Sequence, residues 1–286
     1  MSAREAVERL LGVPVTGVRR SSGAVCLVTT ERRGVLVVKQ GTGPGATDAE
    51  AAGLRWLGEH GDVPVPNVHA HDDEWIVMDY VPPTYPEPAA AEAFGRGLAC
   101  LHRRGASAYG TPPPGGPANA WMGLAPMRNE PRADWAVFYA EHRVLPYVEM
   151  CVDQGLYDAE QAAVFERLCS RLPELGGPPE PPSRVHGDAW SGNVHWAQGA
   201  VWLIDPAAHG GHRETDLAML HLFGTPLLDR IVGAYEEAAK DLDAPLADGW
   251  RDRMDLHQLF PLLMHAAVFG AGYARQALRA AQTALH

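Results

Sequence analysis

Cysteine is scarce in this 286-residue chain, and the four cysteines, at positions 26, 100, 151 and 169, form no C-x-x-C pair. Four thiols are too few to stabilise a chain of this length through disulfides, so we interpret them as buried or free thiols. The sequence also lacks an apolar run of the ~20 residues that a membrane helix needs. Its first residues, Met1 to Glu8, lack the apolar core of a secretory signal. These absences predict a cytoplasmic protein without a membrane segment.

Clusters of basic residues are absent as well. The chain carries 24 lysines and arginines against 35 acidic residues, which gives a net charge of −11. No basic run is long enough to follow a phosphate backbone, and this argues against nucleic acid as a partner. An acidic protein can still bind an acidic nucleotide if a lysine and bound metal ions concentrate positive charge locally. The composition therefore favours a small-molecule partner.

Short runs typical of β-strands characterise residues 1–81. Runs at 24–30 and 35–39 are separated by a turn, and a third run at 75–80 ends before two prolines. Between them, Asp48 is placed to cap a helix that extends to about His60. Because prolines stop a strand, we place a lobe boundary after Val81. The sequence thus predicts a small antiparallel sheet lobe with one helix.

Helical periodicity dominates residues 82–286. Within this half we expect one β-hairpin, running from 184–186 to 201–205, with polar residues held between its strands. The predicted fold class is α+β, with the small sheet lobe followed by a larger, mainly α-helical lobe. The predicted helices of that lobe lie at about 89–104, 133–154, 158–172, 214–223, 226–240 and 251–281.

Three polar residues of the predicted hairpin have the spacing of a kinase catalytic loop. Asp188 and Asn193 form D-x-x-x-x-N, and Asp205 ends an apolar run twelve residues later. Phosphoryl transfer needs an acceptor for the substrate hydroxyl proton and oxygen ligands for Mg²⁺. We predict Asp188 as the catalytic base and Asn193 and Asp205 as metal ligands. Ordinary turn chemistry between two strands is the alternative, since Asp, Asn and Gly dominate turns.

An upstream lysine and glutamate favour the kinase interpretation. Lys39 ends an apolar strand, and Glu50 follows eleven residues later in the predicted helix. A kinase presents its phosphate-binding lysine and the glutamate that orients it in this order. Either residue alone is more typical of a solvated surface charge. Their order together with the downstream motif predicts ATP bound with Mg²⁺.

Further ATP contacts are predicted before and after Lys39 along the chain. Ser22 and Gly23 lie in a turn that either covers the phosphates or simply joins two strands, and their composition suits both. The segment between the predicted lobes is where the adenine of a kinase substrate lies. We predict adenine contacts from this segment, at Met78, Asp79, Tyr80 and Val81.

Two longer segments resemble a known family. Residues 185–194 are V-H-G-D-A-W-S-G-N-V, and residues 204–219 are I-D-P-A-A-H-G-G-H-R-E-T-D-L-A-M. They closely resemble the fructosamine-3-kinase (ketosamine kinase) family, within the aminoglycoside phosphotransferase-like kinases. Similar segments around Asp134-Trp135 and near Phe269 extend the resemblance over nearly the whole chain. The resemblance implies a two-lobed, protein-kinase-like fold.

The resemblance also implies an activity and its partners. Members phosphorylate the sugar 3-hydroxyl of a ketosamine, a fructosamine or ribulosamine adduct, with ATP and Mg²⁺. The product is unstable, which associates the family with deglycation of amines and proteins. The implied partner is therefore a small ketosamine or a glycated amine or protein. The nucleotide-covering loop of many members contains a cysteine, whereas residues 18–25 contain none, so the oligomeric state stays open.

Residues near the catalytic motif receive roles from the same resemblance. His186 is expected to hold the loop by hydrogen bonding. Trp190 either flanks the sugar or belongs to the core. His212 and Glu214, which open a predicted helix, are candidate substrate contacts, although residues at a helix start also bind free amides. Asp216 is expected to give structural support.

Two other functions remain open at this point. The shared machinery does not reveal the acceptor, so an aminoglycoside or a choline-like alcohol is an alternative substrate. A nucleotide-binding pseudokinase is the second alternative. The complete set of kinase residues, from Lys39 to Asp205, argues against it.

Overall fold

The computed structural model of the protein describes residues 1–286 and begins with a five-stranded sheet and two helices. The strand order is β1-β2-β3-β5-β4, and every neighbouring pair is antiparallel. The small antiparallel sheet is therefore confirmed, while the first helix and two of the strands were not predicted. The elements are α1 (Ala3–Leu11), β1 (Val15–Ser22), β2 (Val25–Thr30), β3 (Gly34–Gln40), α2 (Ala46–Gly58), β4 (Val68–His71) and β5 (Trp75–Asp79).

Helix α2 begins earlier than predicted. Its N-cap is Gly45, in the left-handed conformation with φ of 72°, and no side chain caps it. Asp48 lies inside the first turn instead, with its Oδ1 3.2 Å from Nδ1 of His71. The prediction that Asp48 caps this helix was wrong. Glycine turns the chain into the helix here because it adopts positive φ without a Cβ penalty.

Helix α2 packs against both halves of the chain. Ala51 and Leu54 join a buried cluster with residues of β5. On the other side, a Cβ added at Gly53 would lie 3.2 Å from Cγ of Pro206, so only a small residue fits there. This close approach brings Glu50, three residues earlier, towards the segment that contains Asp205.

Residues 82–286 form the larger, mainly helical part. The predicted lobe boundary after Val81 falls in the segment between β5 and the next helix, and it stays a prediction. The helices are α3 (Pro88–Arg103), α4 (Trp135–Tyr139), α5 (Leu145–Asp153), α6 (Ala159–Leu175), α7 (Arg213–Leu222), α8 (Leu228–Asp241), α9 (Met254–Phe269) and α10 (Ala271–Ala284), and the strands are β6 (Asn119–Met122), β7 (Ala125–Arg128), β8 (Ser183–Val185), β9 (Val194–Ala197), β10 (Ala200–Leu203) and β11 (His209–Gly211).

The strands of this part differ from the single hairpin that we predicted. Strand β8 pairs with β11, whereas β9 pairs with β10, and the hairpin of β6 and β7 was not predicted. The segment 186–193 therefore joins strands of two different sheets. Local composition indicated where the strands lie but not how they pair. The partner of β8 is β11, which lies after Asp205 and outside the predicted hairpin.

Two predicted helices are interrupted. The helix expected at 251–281 breaks at Gly270, whose φ of 89° and ψ of −154° separate α9 from α10. In the helix expected at 133–154, a π-helical turn at Ala140–Val144 separates α4 from α5. Glycine is suited to the first break because other residues rarely adopt its conformation. None of the helices is both long and apolar enough to cross a membrane.

Candidate active site

A buried carboxylate holds the segment between β8 and β9 in place. Asp216, on α7, is fully buried, and it accepts hydrogen bonds from the amides of His186 at 2.7 Å and Gly187 at 2.9 Å. Nε2 of His102, on α3, lies 3.2 Å from the same carboxylate. Burial alone would raise the pKa of Asp216, but the contact with His102 and the amides lower it, so Asp216 stays ionised. Asp216 therefore supports the loop, as expected, whereas its contact with His102 was not predicted.

His186 fixes the other side of the loop. Its Nδ1 accepts from the amide of Asp188 at 3.2 Å, so its Nε2 carries the proton and donates to the carbonyl of Ile204 at 3.0 Å. Burial lowers the pKa of His186 and keeps the ring neutral. The hydrogen-bonding role expected for His186 is therefore present. It ties the loop to the residue just before Asp205.

Asp188 lines a cavity and leaves one of its carboxylate oxygens unpaired. Its Oδ2 accepts from Nδ2 of Asn193 at 2.9 Å, and the same amide nitrogen donates to the Asp188 carbonyl at 2.9 Å. Its Oδ1 has no hydrogen-bond partner. Burial, reinforced by the charge of Asp205, raises the pKa of Asp188 well above its usual range. A carboxylate with a free oxygen and a raised pKa has the properties of a general base.

Lys39 brings the sheet and the helical part together. Its Nζ lies 2.9 Å from Oε2 of Glu50 and 3.1 Å from Oδ1 of Asp205. Burial alone would lower the pKa of Lys39, but the two carboxylates outweigh it and raise the pKa, so the lysine is charged. The two residues paired in the sequence analysis, Lys39 and Glu50, are thus in direct contact.

One cavity of about 400 Å³ is lined by the charged residues Lys39, Glu50, Asp188 and Asp205. Trp190 also lines it and packs edge-on against Phe223, with ring centroids 5.8 Å apart. The predicted adenine contacts, Met78 to Val81, are not among its lining residues, so that contact stays a prediction. The predicted site residues that do line the cavity are Ser22, Gly23, Lys39, Glu50, Asp188, Trp190, Asn193 and Asp205.

The positions of His212 and Glu214 disagree with the prediction that they contact the substrate. Both are buried and neither lines the cavity. Their ligating atoms and those of His257 lie within 4.8 Å of one another, a spacing that would suit a metal. However, the two carboxylate oxygens of Glu214 already bind Arg253, at 2.6 and 2.9 Å. We interpret the cluster as a structural ion pair that anchors the start of α7 to α9.

The far wall of the cavity includes residues that the sequence analysis did not assign to the site. The β6–β7 hairpin contributes Trp121, whose Nε1 donates to the carbonyl of Pro44 at 3.1 Å, and Asn129 follows directly after it. The end of α9 contributes His265 and Phe269. No local motif marks these positions, because they approach the cavity only through packing of distant elements.

The donor set at one end of the cavity suits a hard divalent cation. Asp205 offers a carboxylate that is 42% exposed, and Asn193 offers an amide oxygen, since its nitrogen is engaged with Asp188. Mg²⁺ prefers oxygen ligands and takes only one or two from protein when phosphates and water supply the rest. These two residues therefore fit the metal that was predicted from the sequence.

Known proteins resemble the chain in sequence. "Probable ketoamine kinase TTHA1179" of Thermus thermophilus is 35% identical over 246 residues, which cover 85% of this chain and 84% of that protein. "Probable ketoamine kinase YniA" of Escherichia coli is 32% identical over 235 residues, covering 79% and 76% of the two chains.

The fold also has known relatives. A crystal structure of a "putative fructosamine-3-kinase" from Thermobifida fusca superposes with a TM-score of 0.89 at 44% identity, covering 99% of this chain and 98% of that one. The gentamicin complex of APH(2")-IIa superposes with a TM-score of 0.65 at 12% identity, covering 99% and 94%, and shows a shared fold alone. The predicted two-lobed, protein-kinase-like fold is confirmed. The fructosamine kinase family model matches residues 15–286, and the chain belongs to that family.

Proposed function

We propose that this protein uses ATP to phosphorylate the sugar 3-hydroxyl of a ketosamine, either a fructosamine or a ribulosamine adduct. The observation that carries the proposal is the unpaired Oδ1 of Asp188, a residue that lines one cavity together with Lys39, Asn193 and Asp205. A proton acceptor, a phosphate-binding cation and oxygen ligands for a metal are the groups that phosphoryl transfer requires. Family membership supports a ketosamine as the acceptor.

Asp188 orients the acceptor and takes its proton. The sugar hydroxyl donates to Oδ1 while Asn193 holds Oδ2, so the carboxylate cannot rotate away. As the bond between the sugar oxygen and the γ-phosphorus forms, the O–H bond breaks and the proton passes to Asp188. The bond between that phosphorus and the bridging oxygen breaks at the same time, and ADP leaves with its electron pair. The raised pKa of Asp188 suits this proton transfer.

The other residues hold the nucleotide. Lys39, oriented by Glu50, binds a phosphate oxygen, and the turn at Ser22 and Gly23 covers the phosphates. Asn193 and Asp205 would hold Mg²⁺, which neutralises negative charge on the triphosphate. The adenine lies against the backbone of the segment that follows β5, from Met78 to Val81.

The acceptor enters on the side of Trp190. Its indole forms an apolar wall next to Asp188, and such a ring packs well against the C–H face of a sugar. The 3-phosphate of a ketosamine breaks down and releases the amine, so the proposed physiological outcome is deglycation. Both small ketosamines and glycated side chains of proteins are candidate acceptors.

The test measures acceptor-dependent ADP release. The panel contains a fructosamine, a ribulosamine, an aminoglycoside and choline, followed by mapping of the phosphorylated hydroxyl in the product. We expect transfer to the 3-hydroxyl of a ketosamine. Transfer only to the aminoglycoside or to choline would overturn the acceptor assignment. Absence of turnover with every acceptor, despite ATP binding, would favour a pseudokinase.

A further inference from the structure

Asn129 is a buried polar residue in the wall of the cavity that contains Asp188. It follows β7 directly, is 1% exposed, and its backbone amide donates to the carbonyl of Ala118 at 2.7 Å. This backbone bond fixes the chain at the base of the β6–β7 hairpin. The residue therefore has a defined position in the wall of the cavity in which the acceptor is proposed to bind.

The orientation of the Asn129 amide is set by a buried arginine. Nη2 of Arg143 donates to Oδ1 of Asn129 at 2.6 Å. Because a guanidinium can only donate hydrogen bonds, the atom that faces it must be the amide oxygen. The NH₂ group consequently points away from Arg143, and it has no hydrogen-bond partner.

Arg143 itself cannot turn to another partner. It is 1% exposed, has no carboxylate partner, and donates to the carbonyls of Arg128 and His142 at 2.8 and 3.0 Å. Its guanidinium carbon also lies 4.6 Å from the ring centroid of Phe138. Burial lowers the pKa of Arg143 to about 10, so it remains a cation at neutral pH. A fixed cation on the amide oxygen polarises Asn129 and makes its NH₂ a stronger donor.

A buried donor without a partner destabilises the folded protein, and proteins rarely retain one. Two other residues that line this cavity also carry a buried oxygen without a partner, Asp188 at Oδ1 and Glu50 at Oε1. The proposed function assigns Oδ1 of Asp188 to the reacting hydroxyl and Glu50 to Lys39. Asn129 is the residue of this set whose unpartnered atom is a donor. A polyhydroxylated ligand satisfies the Asp188 oxygen and the Asn129 donor at once.

We propose that the NH₂ group of Asn129 donates a hydrogen bond to an oxygen of the acceptor sugar other than the reacting hydroxyl, and so selects for it. This inference rests on the proposed function and deepens it. A site built around an unpaired donor discriminates strongly against an analogue that lacks the matching oxygen. Asn129 is therefore a specificity residue, while Asp188 carries the proton transfer.

The test removes the donor in two ways. Asn129→Asp replaces the NH₂ group by a second acceptor and keeps an oxygen for Arg143, whereas Asn129→Ala removes the whole amide and adds no charge. We expect both to raise the KM of the ketosamine at least about tenfold, the order expected for one lost hydrogen bond, with the KM of ATP unchanged. Asn119→Asp, on the exposed start of β6, is the matched control and should match the wild type.

Deoxy analogues of the acceptor distinguish a direct contact with Asn129 from a merely structural role of this residue. With acceptors deoxygenated at one position at a time, the wild type should lose kcat/KM at one position besides the reacting one, and both Asn129 variants should lose that discrimination. If the wild type phosphorylates ketosamines and both variants keep its acceptor KM and its discrimination, this inference alone is overturned. A wild type inactive on every ketosamine overturns the proposed function and the inference together.

Discussion

Nζ of Lys39 lies 3.1 Å from Oδ1 of Asp205, although 166 residues separate the two along the chain. The contact joins β3 of the sheet to the second residue after β10 in the helical part. The proposed function assigns Lys39 to phosphate and Asp205 to the metal, so these two groups already lie side by side.

Replacing the cation of this pair should impair the use of ATP. We expect Lys39→Met to lower kcat/KM for ATP about 100-fold or more, because one charged donor to a transferring phosphoryl group contributes on the order of 3 kcal/mol. Steady-state ADP release at varied ATP measures the effect. The matched control is Lys240→Met, an exposed lysine of α8. Equal ATP kinetics in both variants would contradict the assignment of Lys39.

Removing the proposed base should abolish turnover without harming the fold. We expect Asp188→Asn to lower kcat by roughly 10²–10⁴, the usual contribution of a general base. Since burial disfavours the charged form of Asp188, the neutral amide should leave the melting temperature unchanged or higher. Calorimetric ATP titration should show binding retained. The exposed Asp73→Asn is the control, and normal turnover in Asp188→Asn would exclude the role.

Asp216 should matter for stability and for catalysis together. Asp216→Asn leaves one oxygen to serve two amides and turns an NH₂ group towards donors, so we expect a loss of about 3 kcal/mol in unfolding free energy. Because the same amides position Asp188, kcat should fall as well. Urea unfolding and turnover are the measurements. Asp241→Asn, exposed at the end of α8, should change neither, and a stable but inactive Asp216→Asn would contradict a structural role.

Glu214 should contribute stability that depends on pH. Burial would raise its pKa, but contacts with His257 and Arg253 outweigh burial and lower the pKa to about 2, from an ordinary value of 4.5. A lowered carboxyl pKa stabilises the folded state above the ordinary value, and that contribution is lost as the pH falls towards the folded value. Glu214→Gln should therefore be less stable than the wild type by about 3 kcal/mol at pH 6.

This difference should shrink as the pH falls from about 5 to 3, which urea unfolding at each pH would measure. Glu174→Gln, whose side chain is 72% exposed, is the matched control. A difference that stays constant with pH would show that Glu214 acts through packing alone.

The polar loop at 186–193 could be predicted because the contact between its two key side chains is local. Asp188 and Asn193 lie within one loop, and the hydrogen bond between them needs only five residues of chain. Lys39 and Glu50 likewise follow each other on neighbouring elements. Spacing along the chain is informative for such pairs, since each element carries its residues at fixed intervals.

His212 and Glu214 show where this reasoning failed. Their position in a motif next to the catalytic loop suggested contact with substrate. In the structure Glu214 points into the helical core, where Arg253 and His257 of another element bind it. The direction of a side chain at a helix start depends on what packs against the helix, and sequence spacing does not contain that information.

The sequence by itself determined three strands of the sheet, most of the helices and the polar groups that we propose for phosphoryl transfer, because periodicity and short motifs are properties of neighbouring residues. The tertiary structure decided which strands pair, which side of α7 faces the core, and that Arg143 binds Asn129 in the wall of the cavity that Asp188 also lines. These relationships join residues of different secondary-structure elements. Their energies come from burial and from the pairing of polar groups in the packed protein, which exist only once the elements have docked.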